Sequence, residues 1–132
     1  MVDQATTLMQ PFRRNLDVAP VIVPVGASPI ATPVASMTGK AVTTFKMHNP
    51  TPFWVWFRGW VGTMGDMPTV KEQGHYIAPG AVDICRTQMP QFIAAQAVAE
   101  PDLPLPATVD VDGALLVNGV RCRLVMIYGS GA

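Results

Sequence analysis

Asn49-Pro50-Thr51-Pro52-Phe53-Trp54-Val55-Trp56-Phe57-Arg58-Gly59-Trp60 decides the fold class of this chain. All three tryptophans and two of the five phenylalanines lie within its last eight residues. The run after Pro52 is too short and too aromatic to favour a helix. Its apolar side chains point to both sides, as in a strand covered on two faces. Trp54, Trp56 and Trp60 share one side with Arg58 between them. Burial of such rings is the expectation, with the strand at the centre of a two-layer β core. A protein–protein interface and an exposed aromatic platform are the alternatives.

Working outward, the flanking segments carry strand and turn signals and little else. Upstream, Ala41, Thr43, Phe45 and Met47 alternate with Val42, Thr44, Lys46 and His48, which predicts a half-buried strand. Downstream, Gly59, Gly62 and Gly65 open a loop to about Gln73, and His75-Tyr76-Ile77 begins the next strand. Ala78-Pro79-Gly80 places Pro and Gly where a type II turn needs them. Strands follow at Ala81 to Thr87 and Gln91 to Val98; alanine leaves a helical turn as the alternative for the second. Glu100 to Pro106, with three prolines, is a loop. Asp112-Gly113 and Asn118-Gly119 then read as type I′ hairpin turns, because both central residues need positive φ. The last strand, Val120 to Tyr128, puts Val120, Cys122, Leu124, Met126 and Tyr128 on one face.

Residues 1–17, with Arg13-Arg14, read as a tail or short helical turn. The stretch Val18 to Gly39 carries no charge and has prolines at 20, 24, 29 and 33. Proline blocks helix and removes ladder donors from central strands, so this stretch is expected to be extended, PPII-like or an edge strand. The predicted organisation is an N-terminal arm over 1–39 and a β domain over 40–132. About seven or eight strands with no convincing helix predict an all-β antiparallel sandwich or jelly roll.

The composition excludes several function classes. The 132 residues have zero net charge and only 14% charged residues. A nucleic-acid binder would be basic, and a disordered chain less apolar. So little charge on a free surface disfavours solubility, which suggests a surface covered by partners. No apolar run reaches the ~20 residues that span a bilayer, and the first ten residues show no secretory pattern. Cys85 and Cys122 sit within predicted strands and read as buried thiols, with a cross-strand disulfide as the alternative.

No catalytic, cofactor or metal site is expected. His48 and His75 are the only histidines, and neither belongs to a metal-binding or nucleophilic motif. A site combining them with Asp66 or Asp83 would need strand ends to converge. A nucleophilic cysteine would need a neighbouring base and a lowered thiol pKa.

Three features together resemble the small capsid cement or decoration proteins of tailed bacteriophages. They are the uncharged Pro-rich stretch Val18 to Gly39; the turn and aromatic strand Asn49 to Val55; and Gly74-His75-Tyr76-Ile77-Ala78-Pro79-Gly80 with Arg86-Thr87 and Pro90-Gln91-Phe92-Ile93-Ala94-Ala95. The resemblance implies a jelly-roll or sandwich virion protein on the capsid surface, without enzymatic activity. Its partners would be the major capsid protein and further copies of itself as a homodimer or homotrimer, and neither nucleic acid nor membrane. Neck and tail components are similar in class. Val21, Val23, Ile30 and Val34 of the arm, with Arg58 and Trp60 at the end of the aromatic strand, are the expected interface residues. The alternative is a carbohydrate- or receptor-binding β-sandwich module using the tryptophans.

Overall fold

The computed structural model describes residues 12–14, 16, 18–34, 44–85 and 90–130. Expectations for residues 1–11, 35–43 and 86–89 lie outside the described residues, including Ala41 to Thr43, the arm beyond Val34, and Arg86-Thr87. The strands are β1 (Arg13–Arg14), β2 (Val21–Gly26), β3 (Thr32–Pro33), β4 (Thr44–His48), β5 (Val55–Trp60), β6 (His75–Ile77), β7 (Val82–Cys85), β8 (Phe92–Ala97), β9 (Leu116–Val117), β10 (Val120–Arg121) and β11 (Arg123–Ser130). One helical turn, α1 (Val70–Gln73), precedes β6, and a 3-10 turn covers Met64–Asp66. The chain is all-β, as its alternation predicts. Arg13-Arg14 pairs with Ser130 and Gly129 as a short strand instead of a helical turn.

Among the described residues, nine strands form one nearly closed, barrel-like sheet in the order β6-β5-β8-β2-β11-β4-β7, with β1 on β11 and β3 on β8. The sheet is mixed rather than purely antiparallel, because β2 runs parallel to β8 through Val25↔Ala95 and Gly26↔Gln96. Its two end strands, β6 and β7, are neighbours in the chain. The turn between them has an Ala81 N–H to Ala78 C=O bond of 3.1 Å, and Gly80 has φ 72°. That is the type II geometry Pro79-Gly80 predicts.

The predicted separation into an arm and a domain is corrected by β2. Residues 21–26 lie between β8 and β11, with Val23 opposite Leu124 and Val25 opposite Ala95. Val23 and Val25 are fully buried. Pro24 is tolerated there for a positional reason. The Val25 N–H points to β11, bonding Cys122 C=O at 3.1 Å. Successive strand residues present their N–H groups to opposite sides, so the donor that Pro24 lacks would face β8, where the ladder begins only at Val25.

Alternation fills the interior. Phe45 and Met47 of β4, Val55 and Phe57 of β5, Ile93 and Ala95 of β8, and Leu124, Met126 and Tyr128 of β11 all join one core. In β5 the core is made by Val55 and Phe57, and the tryptophans point outward, which corrects the expectation that they form its centre. Alanines 94 and 95 are buried in a strand and not a helix. Trp60, Val70 and Ala94 make a second, smaller cluster where α1 lies on the outer face of β5 and β8.

At the C-terminal end, Asn118 and Gly119 have φ of 52° and 77° and form the expected type I′ turn between β9 and β10. The Asp112-Gly113 turn differs. Only Gly113 has positive φ there, and its N–H bonds Asp110 C=O at 3.0 Å. Val111 and Asp112 are therefore the central residues of the turn, with the glycine after them. Val120 is exposed, so the buried face of the last strand begins at Cys122.

Tyr128 carries a pH-dependent consequence. Its hydroxyl is buried with no hydrogen-bond partner among the described residues, and burial pushes its pKa up to about 12. Between the ordinary tyrosine value of about 10 and that value, the folded state holds a proton that the unfolded state has lost. The contribution is thus fully present below about pH 10 and is lost as pH rises through about 12. Tyr128→Phe removes the unpaired hydroxyl and is expected to stabilise the protein by about 1 kcal/mol at neutral pH. It should also flatten the decline in denaturant midpoint at alkaline pH, measured by urea titration at a series of pH values.

Candidate functional site

Two outer faces of the sheet carry side chains that a free surface does not require. The first lies over β5, β6 and β8. Strand alternation places Trp54, Trp56, Arg58 and Trp60 outward on β5, and pairing sets Trp56 between Tyr76 of β6 and Gln96 of β8. Tyr76 stacks on both Trp54 and Trp56, with ring centroids 4.4 Å apart and planes 25° from parallel in each pair. It is 40% exposed. Its hydroxyl donates to Glu100 at 3.5 Å. Burial raises its pKa, and the neighbouring Glu100 charge and hydrogen bond add to the shift.

Beside this stack lies a cleft of about 260 Å³, bordered by Trp56, Lys71 of α1, Gln96, Val98, Leu105 and Ala27. The Gln96 side-chain amide donates to Ala27 C=O at 3.1 Å, which fixes its carboxamide. Further along the face, Trp60 stacks on Phe92 at 5.7 Å and donates its indole N–H to Thr63 C=O at 2.8 Å. Asp66 accepts from the Thr63 N–H and hydroxyl, and these bonds, the backbone one first, hold its carboxyl below the usual range. Asp66 thereby ties off a loop.

The second face spans β2, β11, β4 and β7. Register aligns Ile22, Val125, His48 and Val82 in one row across all four strands. The next row runs Ile127, Lys46, Ile84. Ile22, Val82 and Ile84 are 45%, 49% and 45% exposed. The Lys46 ammonium sits 5.2 Å from the centre of the Phe12 ring. A solvated sheet face is mostly polar, whereas this one presents an apolar band interrupted by His48 and Lys46.

The residues expected to reach partners are placed differently from one another. Val23 is wholly buried, and Trp60 is 9% exposed under α1, so neither offers a contact surface. Val21 and Val34 pack on the main core while partly buried, and Ile30 is half-buried in the β2–β3 connection. Arg58 is exposed and, with Trp60, borders a cavity of about 430 Å³ between Phe45 and His75. The sequence reading passed over Tyr76, Ile22, Val82 and Ile84. Tyr76 had a signal, being an aromatic in a strand that follows an aromatic strand. The other three had none until the register showed which strand face was the outer one.

The histidines and aspartates considered as a catalytic or metal site do not converge. His48 lies in the middle of the second face, and His75 stacks on Phe57 at 5.3 Å on the other half of the sheet. Asp83 is on β7 opposite Met47. Among the described residues, no three histidine, cysteine, aspartate or glutamate side chains are grouped to hold a metal ion. Cys85 and Cys122 are free and buried, so the disulfide alternative does not hold. Burial, aided by the Asp83 charge, pushes the Cys85 thiol up to about 11, and burial raises Cys122 as well. Such thiols are poor nucleophiles.

No protein-family model, curated protein or solved structure matches the chain.

Proposed function

We propose that the protein is a structural component of a phage virion, a capsid cement or decoration protein. It binds the outside of the capsid lattice and stabilises contacts between major capsid subunits. The observation that supports this reading most is the apolar outer face built by Ile22, Val125, Ile127, Val82 and Ile84 on four hydrogen-bonded strands. A band of β-branched side chains, interrupted only by His48 and Lys46, suits protein contact better than catalysis, because it offers area and shape without a nucleophile or a clustered ligand set. A protein that binds the assembled shell and not free subunits raises shell stability by mass action. Self-association at a symmetry axis would use the same kind of surface.

The test uses shells assembled from the major capsid protein alone. The protein is expected to co-sediment with them and to raise their melting temperature. Ile84→Glu places a charge where burial is needed and should weaken binding by about tenfold or more. The free protein's own melting should change little, because Ile84 lies exposed on an end strand. Absence of co-sedimentation by the wild-type chain would reject the reading.

A further inference from the structure

We propose that the cleft beside Trp56 is a saccharide-binding subsite, taking one pyranose ring at a time. Three independent features meet there. Trp56 is held by stacking on Tyr76, which is itself stacked on Trp54, so the indole is fixed in orientation before any ligand arrives. The cleft of about 260 Å³ is bounded by that indole and is smaller than the usual range for drug-sized ligands, which suits a single sugar. Its polar groups are a carboxamide and an ammonium, Gln96 and Lys71. The bond from Gln96 to Ala27 C=O uses one amide hydrogen and leaves the other hydrogen and the carbonyl oxygen to meet sugar hydroxyls.

This combination is selective by chemistry. The C–H face of a pyranose packs on an aromatic ring, while its equatorial hydroxyls need both donors and acceptors, which a carboxamide supplies together. Lys71 adds three donors and a positive charge, favouring sugars that bear a carboxylate. A nucleic-acid strand would ask for several cations along its backbone, and the cleft offers one. The site lies on the β5–β6–β8 half of the sheet, apart from the Ile22–Ile84 face. It stands or falls independently of the capsid reading.

The experiment titrates the full-length protein with methyl glycosides of glucose, galactose, N-acetylglucosamine and glucuronic acid, following tryptophan fluorescence and calorimetric heat. At least one glycoside is expected to give a saturable change with millimolar affinity, tightest for the glucuronide. Trp56→Ala should lower that affinity by about tenfold, in line with the loss of one aromatic stacking contact. Lys71 is exposed, so Lys71→Ala leaves the fold intact and keeps the test valid if the tryptophan variant misfolds. It should reduce glucuronide affinity about fivefold and neutral glycoside affinity less. Failure of all four glycosides to bind overturns the proposal. So does an unchanged glucuronide affinity in Lys71→Ala, or a saturable response to an oligo-dT strand with none to the sugars.

Discussion

A chain that begins at Ala27 is expected not to fold. The truncation removes β1 and β2, and β2 is the strand that joins the two halves of the sheet, lying between β8 and β11. Without it, Val23 and Val25 leave the core, at about 1.5–3 kcal/mol of transfer free energy each. The edges of β8 and β11 lose their partners as well. Since a domain of this size is stable by only about 5–15 kcal/mol in total, the combined loss exceeds what the remainder can bear. Exposed strand edges then invite aggregation. The truncated protein should enter inclusion bodies and, when refolded, show no cooperative melt by circular dichroism. Adding a synthetic peptide of residues 18–26 should restore a melt, because a missing strand can be supplied in trans when its slot is specific. A sharp transition in the truncated chain alone would show that β2 is dispensable.

Substitution of Asn49 is expected to be nearly as damaging. Its side chain is fully buried at the corner between β4 and β5. The amide nitrogen donates to the carbonyls of Phe53, Ile77 and Ala78 at 2.8, 3.2 and 3.1 Å. The amide oxygen accepts from the Thr51 N–H at 3.1 Å and from the Thr51 hydroxyl at 2.6 Å. Its backbone adds bonds to Ala81 C=O and from the Gly80 N–H. One residue thus fastens the aromatic strand's entry to the turn that links the two ends of the sheet. Asn49→Ala leaves several buried groups without partners and should cost about 3–5 kcal/mol, read as a lowered urea midpoint. Asn49→Asp keeps the shape but aims a carboxylate at three carbonyl oxygens. At neutral pH it should be at least as unstable as the alanine variant. Its deficit should shrink as pH falls, since a protonated carboxyl can donate again. Equal stability of Asn49→Asp and wild type at pH 7 would contradict this role.

This segment and this residue show where sequence stops being informative. Alternation in Phe45–Met47 and Cys122–Tyr128, and the turn pairs Pro79-Gly80 and Asn118-Gly119, carried their structure in local chemistry, so strands and turns were legible. Pro24 misled because the rule against proline in central strands assumes that every residue must donate to a neighbour, and on the β8 side the ladder begins only at Val25. Asn49 before Pro50 looked like an ordinary turn residue; its function depends on Ile77 and Ala78, which only the fold brings near. The outward turn of the tryptophans followed from pairing, since Val55 and Phe57 compete for the same core with equal hydrophobic claim. The candidate sites were legible only in part for the same reason. Trp56 stood out by type, whereas Gln96 and Lys71 became its neighbours through the β5–β8 register and the placement of α1.

The pairing of β2 with β11 also sets a timetable. The strand β2 is matched to one made roughly a hundred residues later, or about ten seconds at common translation rates. The sheet's two halves cannot be joined until β11 has been made. The nascent protein must therefore hold β2 without its β11 partner for the whole of that interval. Slowing translation would lengthen this exposure without altering a single contact in the finished fold.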